Sequence, residues 1–321
     1  KGIGRSISEA IYKERKQNGE FKTIFDFCSR LSSEKPSKRT LEALVKCGAM
    51  DAFGENRSTL LNSIQIALSY SNKLNHEQSA GQTNLFYSES DEDQNLPELR
   101  RAKELQVNEK LGFEYATLGF YFSGHPFDTY RNDCKHFTGY NISSLKRMLD
   151  SKKRESYGNN NAIIDLAGLV SDVKRRGNNL AFKIDDGTAM IEGIVFGERM
   201  ESLKGFISNS QLLFLRGKLR FDSYADMWQL VIEEASPLEE LISNKAKKLV
   251  IRCDPNFNPK KLQKILKSHT PGKCSVQLDY LSDVNQTRMS LGDEWKVNPT
   301  KQLRETLAEE LGIDNFQFIS S

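Results

Sequence analysis

Between Ile163 and Ile232 the apolar residues of this chain change period. Five short runs, Ile163 to Val173, Leu180 to Ile184, Met190 to Phe196, Leu212 to Leu219 and Met227 to Ile232, carry the pattern of half-buried strands. A short helical piece stands between the third and fourth. Five strands and one helix in that order match a small Greek-key barrel of the OB type. Helical periods surround this segment, and 321 residues exceed one typical core, so two to four domains are expected.

Upstream, Ile7, Ala10 and Ile11 recur at helical spacing. So do Leu41, Leu44 and Val45, and then Leu60, Leu61, Ile64, Ala67 and Leu68 behind Asn56 as a cap. From Asn75 to Pro97 the periodicity dissolves into Ser, Gln, Asn and acidic residues, the composition of a connector. A further helix sets Leu111, Tyr115, Leu118 and Phe122 on one face and is expected to stop at Ser123-Gly124-His125-Pro126. Beyond the barrel, Leu249-Val250-Ile251, Cys274 to Leu278 and Glu294 to Val297 read as strands. Asn258-Pro259 and Asn298-Pro299 each read as a helix start, and Leu303, Leu307 and Leu311 form a stripe ending at Gly312. The expected fold class is multidomain α+β: an all-α helix-hairpin-helix region, a five-stranded OB barrel and a small C-terminal mixed α/β domain. The expected boundaries are 1–74 for the helical domain, 75–97 for the connector, 98–160 for a helical extension and linker, 161–240 for the barrel and 245–321 for the last domain.

Net charge is only +3, so nucleic-acid affinity has to come from local patches. Residues 1–60 hold 12 Lys and Arg against 8 Asp and Glu, whereas residues 75–114 hold 4 against 9. The basic start suits phosphate and the acidic middle suits a solvated linker. The five cysteines are scattered, with no CxxC pair and no His at ligand spacing, which fits a reducing cytoplasm and gives no reason to assign a metal. No apolar run approaches the length of a membrane span, and Lys1-Gly2-Ile3-Gly4 offers neither a signal-peptide core nor an initiator Met. A cytoplasmic stretch that begins inside a longer chain is the expectation.

Several short motifs carry chemistry. Lys1-Gly2-Ile3-Gly4 ahead of a helix has the shape of a helix-hairpin-helix turn, in which glycines let the backbone approach a phosphate; Lys1, Gly2, Gly4 and Arg5 are its candidate duplex contacts. A generic glycine turn is the plainer alternative. Gln82-Thr83-Asn84-Leu85-Phe86 lies inside the polar connector, where an apolar pair is out of place; Gln82, Leu85 and Phe86 have the form of a peptide docked by a partner. The alternative is a contact within the chain. In the barrel, Lys174, Arg175 and Arg176 fall at the first hairpin, Phe182 and Lys183 follow on the next strand, and Arg220 and Tyr224 flank the last loop. Cations track phosphates and aromatic faces stack bases, so these seven are candidate single-strand contacts. Against them, residues 162–235 contain 9 Lys and Arg and 11 Asp and Glu, and a purely structural barrel stays in play. Asp185-Asp186-Gly187 reads as a strand-ending turn, and Trp228 and Trp295 as core residues. No nucleophile elbow, P-loop or His-carboxylate arrangement is present, so no catalytic residue is assigned.

Leu118-Gly119-Phe120-Tyr121-Phe122-Ser123-Gly124-His125-Pro126-Phe127-Asp128 closely resembles a signature of the alpha subunit of bacterial replicative DNA polymerase III. Around it, in the order found in that family, stand Lys1 to Gly4, Phe21 to Cys28, Leu41 to Asp51, Asn56-Arg57, Ala167 to Val170 and Asp185 to Thr188. The resemblance covers essentially the whole chain and is weakest after Leu241. It implies a helix-hairpin-helix domain on primer-template duplex, a sliding-clamp (beta subunit) peptide at Gln82, Leu85 and Phe86, an OB domain near template single strand, and a C-terminal domain that joins the clamp-loader tau subunit. That last domain favours the replicative form over the error-prone paralogue. The family's polymerase carboxylates, and the divalent metal (magnesium) they hold, have no counterpart here, so no cofactor is expected in this chain and the nucleotidyl transfer of a DNA-directed DNA polymerase is not expected from it. An RNA- or tRNA-binding OB module and a scaffold without nucleic-acid affinity are the rival readings.

Overall fold

The structure is a computed structural model, and it describes residues 1–79, 96–151, 163–254, 257–281 and 286–320. It divides into two compact units, Lys1–His125 and Pro126–Ser321.

The first unit is helical. Helices α1 (Arg5–Asn18), α2 (Ile24–Arg30), α3 (Lys38–Lys46), α4 (Arg57–Ser79) and α5 (Val107–Leu118) follow one another. Local chemistry starts them. Thr23 accepts from the Asp26 amide, Ser37 from Thr40 and Asn56 from Thr59, each satisfying an amide that helix geometry leaves without a partner. Their apolar faces converge on Ile24, Phe25, Leu41, Val45, Met50, Leu60 and Ile64, all nearly inaccessible. Helix α4 carries a strap along its side: the Arg100 amide donates to Ser63 Oγ (2.9 Å), the Ala102 amide to Thr59 Oγ1 (3.0 Å), and Asn56 Nδ2 donates to the Ala102 carbonyl (2.9 Å). Leu96 and Leu99 of the same strap rest on the helical core.

One buried charge network organises this unit. Arg57, 1% exposed, grips Asp51 with two parallel bonds of 2.8 and 2.7 Å and Glu114 with a third of 2.9 Å. The other oxygen of Glu114 accepts the amides of Phe122 and Ser123 at 2.8 and 2.9 Å. Burial alone would raise the pKa of Glu114; those two amides and the guanidinium outweigh it and hold the carboxyl below its ordinary value. Gly48, at φ +82°, makes room: a Cβ there would sit 2.3 Å from Nη2 of Arg57. Helix α5 ends four residues earlier than its stripe implied, at Gly119 in the left-handed region, so Phe122 lies in the loop that Glu114 holds. Of the stripe, Leu111 is buried, whereas Tyr115, Leu118 and Phe122 are exposed, as is Phe120 of the loop.

The second unit opens with α6 (Asp128–Cys134) and α7 (Ile142–Ser151), followed by a closed barrel of order β1-β2-β3-β5-β4. Its strands are β1 (Ile163–Arg176), β2 (Asn179–Asp185), β3 (Met190–Val195), β4 (Leu212–Asp222) and β5 (Met227–Pro237), with α8 (Gly197–Leu203) between β3 and β4. This is the expected OB arrangement. Closure comes from the parallel pairing of β3 with β5, with Glu192 opposite Gln229 and Ile194 opposite Val231. Leu180, Phe182 and Ile184 point inward with Leu166, Val170, Leu215 and Leu230. Asp185-Asp186-Gly187 is the turn expected, and buried Asp186 also accepts the Ile142 amide (2.7 Å), tying α7 to the barrel.

Helix α9 (Leu238–Lys245) leads to a sheet of order β8-β7-β6-β9, made of β6 (Lys248–Cys253), β7 (Ser275–Leu281), β8 (Gln286–Ser290) and β9 (Phe316–Ile319) with α10 (Pro259–Lys267) and α11 (Lys301–Leu311). Asn258 caps α10 as expected, but α11 is capped by Thr300, and Asn298 Nδ2 instead donates to the Pro271 carbonyl. Glu294 to Val297 is no strand either: Asp293–Trp295 is a tight turn of helix, and only Val297 bridges, to Cys274. Trp228 and Trp295 are half-buried at the margins of their cores rather than inside them. Among the described residues no helix is long and apolar enough to cross a membrane.

Candidate nucleic-acid interface

The N-terminal turn is built by its glycines. Gly2 takes φ +92° and lies close enough to Ala43 that an added Cβ would come within 3.2 Å of that side chain. Gly4 is the N-cap of α1, with open space where its side chain would be and no side chain capping the helix. The first turn of α1 therefore presents amides at the positive end of the helix dipole. Arg5 stands exposed beside them, paired with Glu9 at 2.8 Å, and the backbone nitrogen of Lys1 donates to the Thr117 carbonyl at 2.6 Å. Gln82, Leu85 and Phe86 lie outside the described residues.

The barrel loop is less cationic than its sequence. In β1 the register shifts between Ser171 and Lys174, and Asp172 there adopts φ +56°. Its carboxylate meets Lys174 Nζ at 2.7 Å and Lys183 Nζ at 3.2 Å, which brings the two lysines together across strands. Hydrogen bonds from Lys174 and then Lys183 hold the Asp172 pKa below its ordinary value. Arg176 lies 3.6 Å from Glu192, and Arg175 donates to the Gly177 carbonyl. Tyr224 projects fully into solvent from the β4–β5 hairpin, where Asp222 accepts the Tyr224 and Ala225 amides.

Phe182 does not belong to this surface. Its ring is 1% exposed inside the barrel, in space left by Gly193, whose Cβ would fall 2.8 Å from the ring. It cannot stack a base there. The outer face instead offers Phe196, which follows β3 in extended conformation and keeps 36% exposure. The Arg220 guanidinium lies over that ring, 4.9 Å from its centre. Arg220 also donates to Gln229 Oε1 (3.1 Å), and the Gln229 amide donates to Glu192 (2.5 Å) and Asp222 (3.2 Å). The sequence held a signal for this exchange: Phe182 shares the inward parity of Leu180 and Ile184, whereas Phe196 shares the outward parity of Glu192 and Ile194.

Three family models match the chain: a helix-hairpin-helix motif over residues 1–60, an OB-fold nucleic acid binding domain over 164–238, and the C-terminal domain of DNA polymerase III subunit alpha over 261–312. Among curated relatives, the DNA polymerase III subunit alpha of Xylella fastidiosa (strain 9a5c) is 32% identical over 296 residues, 88% of this chain and 24% of that protein. The subunit of Bacillus subtilis (strain 168) is 32% identical over 324 residues, 98% of this chain and 27% of the relative. That of Pasteurella multocida (strain Pm70) is 31% identical over 324 residues, 97% and 27% respectively. The chain thus spans about a quarter of the length of the relatives it matches. Two nucleic-acid-binding folds stand in the same chain as a match to the C-terminal domain of DNA polymerase III subunit alpha, relatives of that name align with nearly all of the chain, and on that evidence it belongs to the DNA polymerase III alpha-subunit family.

Proposed function

We propose that this chain is the part of a replicative DNA polymerase that holds DNA and partners while nucleotidyl transfer takes place elsewhere in the whole protein. The observation that carries the reading is the succession of a helix-hairpin-helix turn, an OB barrel and a match to the C-terminal domain of DNA polymerase III subunit alpha in one chain. The turn at Gly2 and Gly4 would take primer-template duplex by its phosphates. The barrel would take template single strand, and the C-terminal sheet domain would join the tau subunit of the clamp loader. Gln82, Leu85 and Phe86 would dock on the ring-shaped sliding clamp, two apolar anchors and one amide set in an acidic connector.

Calorimetry of the chain against the clamp tests the peptide. Leu85→Ala with Phe86→Ala is expected to abolish measurable binding, because such anchors carry most of the energy of a short docked segment. Undiminished binding would sink the assignment. Titration with matched single-stranded DNA and RNA tests the barrel; a preference for RNA would require contacts to the 2′-hydroxyl and would favour an RNA-binding module instead.

A further inference from the structure

The outer face of the barrel has an order that the loop cations do not explain. By register, Lys183, Glu192, Gln229 and Arg220 form one row across β2, β3, β5 and β4. Ala181, Ile194, Val231 and Lys218 form the next, and Phe196 continues the outward side of β3. Gln229 is the anomaly in the first row. It is 2% exposed although it faces away from the barrel core, and its amide is occupied on both sides, by Arg220 on its oxygen and by Glu192 and Asp222 on its nitrogen. A buried amide with its partners satisfied is a rigid anchor. What it anchors is the guanidinium lying over Phe196.

We propose that Phe196 and Arg220 form a preorganised stacking platform for a base of single-stranded DNA, with Gln229 as the residue that positions Arg220. The proposal rests on the reading of the barrel as the single-strand site and deepens it by naming where a base sits. An aromatic ring and a guanidinium plane are the two surfaces on which unstacked bases are held, and here they are already paired and partly open to solvent. Lys183 and Lys218, in the two rows, stand on either side; each is paired with a carboxylate, Asp172 and Glu233 at 3.2 Å, which a phosphate would have to displace. Phe182, one of the two aromatic residues that the sequence offered for this role, is unavailable inside the barrel, and the other, Tyr224, stands on the β4–β5 hairpin.

The test is fluorescence anisotropy of the chain with a labelled oligothymidylate across a salt series, together with photocrosslinking to an iododeoxyuridine-substituted strand. Phe196→Leu is expected to weaken binding about ten- to hundred-fold, the usual cost of losing one base–aromatic stack, without changing the salt slope. Phe196→Tyr should restore it, and the crosslinked peptide of the unaltered protein should contain Phe196. Replacing Lys174, Arg175 and Arg176 together by alanine should instead lower affinity and flatten the salt slope. If that triple variant weakens binding while Phe196→Leu does not and crosslinks fall elsewhere, the platform is wrong and the barrel reading stands. If neither set of changes affects binding, or the chain binds no single-stranded DNA, both fall.

Discussion

Arg57 has almost no contact with water, and its guanidinium is shared between Asp51, Glu114 and the Lys46 carbonyl. Glu114 is equally enclosed, so its charge has no solvent to fall back on. Removing the Glu114 charge leaves Arg57 its two bonds to Asp51 but weakens its third bond and the acceptor of the Phe122 and Ser123 amides, and Glu114→Gln should destabilise the helical unit by about 1.5–3 kcal/mol in urea unfolding. The pH dependence has a definite sign. The folded pKa of Glu114 is lowered from an ordinary 4.5, so its contribution is complete above about pH 4.5 and is lost as pH falls through the folded value. The stability gap between the native chain and Glu114→Gln should therefore narrow only in acid. Gly48, Asp51 and Arg57 were legible in the sequence as parts of a family pattern, but their reason was not. It needs Glu114, which is distant in sequence and was visible only as one acidic residue of a helix.

At the level of elements, the strands were the most legible part because alternation survives burial on one face, and β1 to β5 all fall where the period changed. Ends were less so. Thr300 outcompetes Asn298 as a cap because Asn298 is already committed to the Pro271 carbonyl, a tertiary contact that no local signal announces. β9 was likewise missed as a strand: Phe316 and Phe318 are buried in the last sheet, but four residues are too few to show a period. The first hairpin of the barrel shows charge placement that composition could count but not locate. Asp172 reaches both Lys174 and Lys183 only because of the bulge in β1. Exposed pairs of this kind are worth little to stability, so Asp172→Asn should leave the unfolding midpoint essentially unchanged. It should raise affinity for single-stranded DNA about two- to five-fold at low salt, by freeing two cations and removing an anion from the path of the phosphates. An anisotropy titration showing equal or weaker binding would mean that the loop does not face the strand.

Across the molecule, the barrel and the last sheet of the second unit are not separate cores. Phe127 at the N-cap of α6, Tyr130 and Cys134 within it, Ala167 of β1 and Phe214 of β4 belong to one apolar cluster with Leu249, Ile251, Leu303 and Phe318. Asp133 reinforces it by accepting the Phe318 amide (2.6 Å) and pairing with Arg304, whose guanidinium lies between Tyr130 and Phe318. A chain of residues 126–321 should melt in one transition, and one ending at Lys245 should expose Ala167 and Phe214, melt lower and aggregate, as scanning calorimetry would show. The strap along α4 has a mechanical meaning. Residues 80–95 leave from the end of α4 and return to a segment fastened along that same helix by Ser63, Thr59 and Asn56. A pull on those residues by anything that grips them is divided between two moorings on a single helix. One of those moorings is a row of lateral hydrogen bonds through Ser63, Thr59 and Asn56, so that end is held at several points along the helix rather than at one.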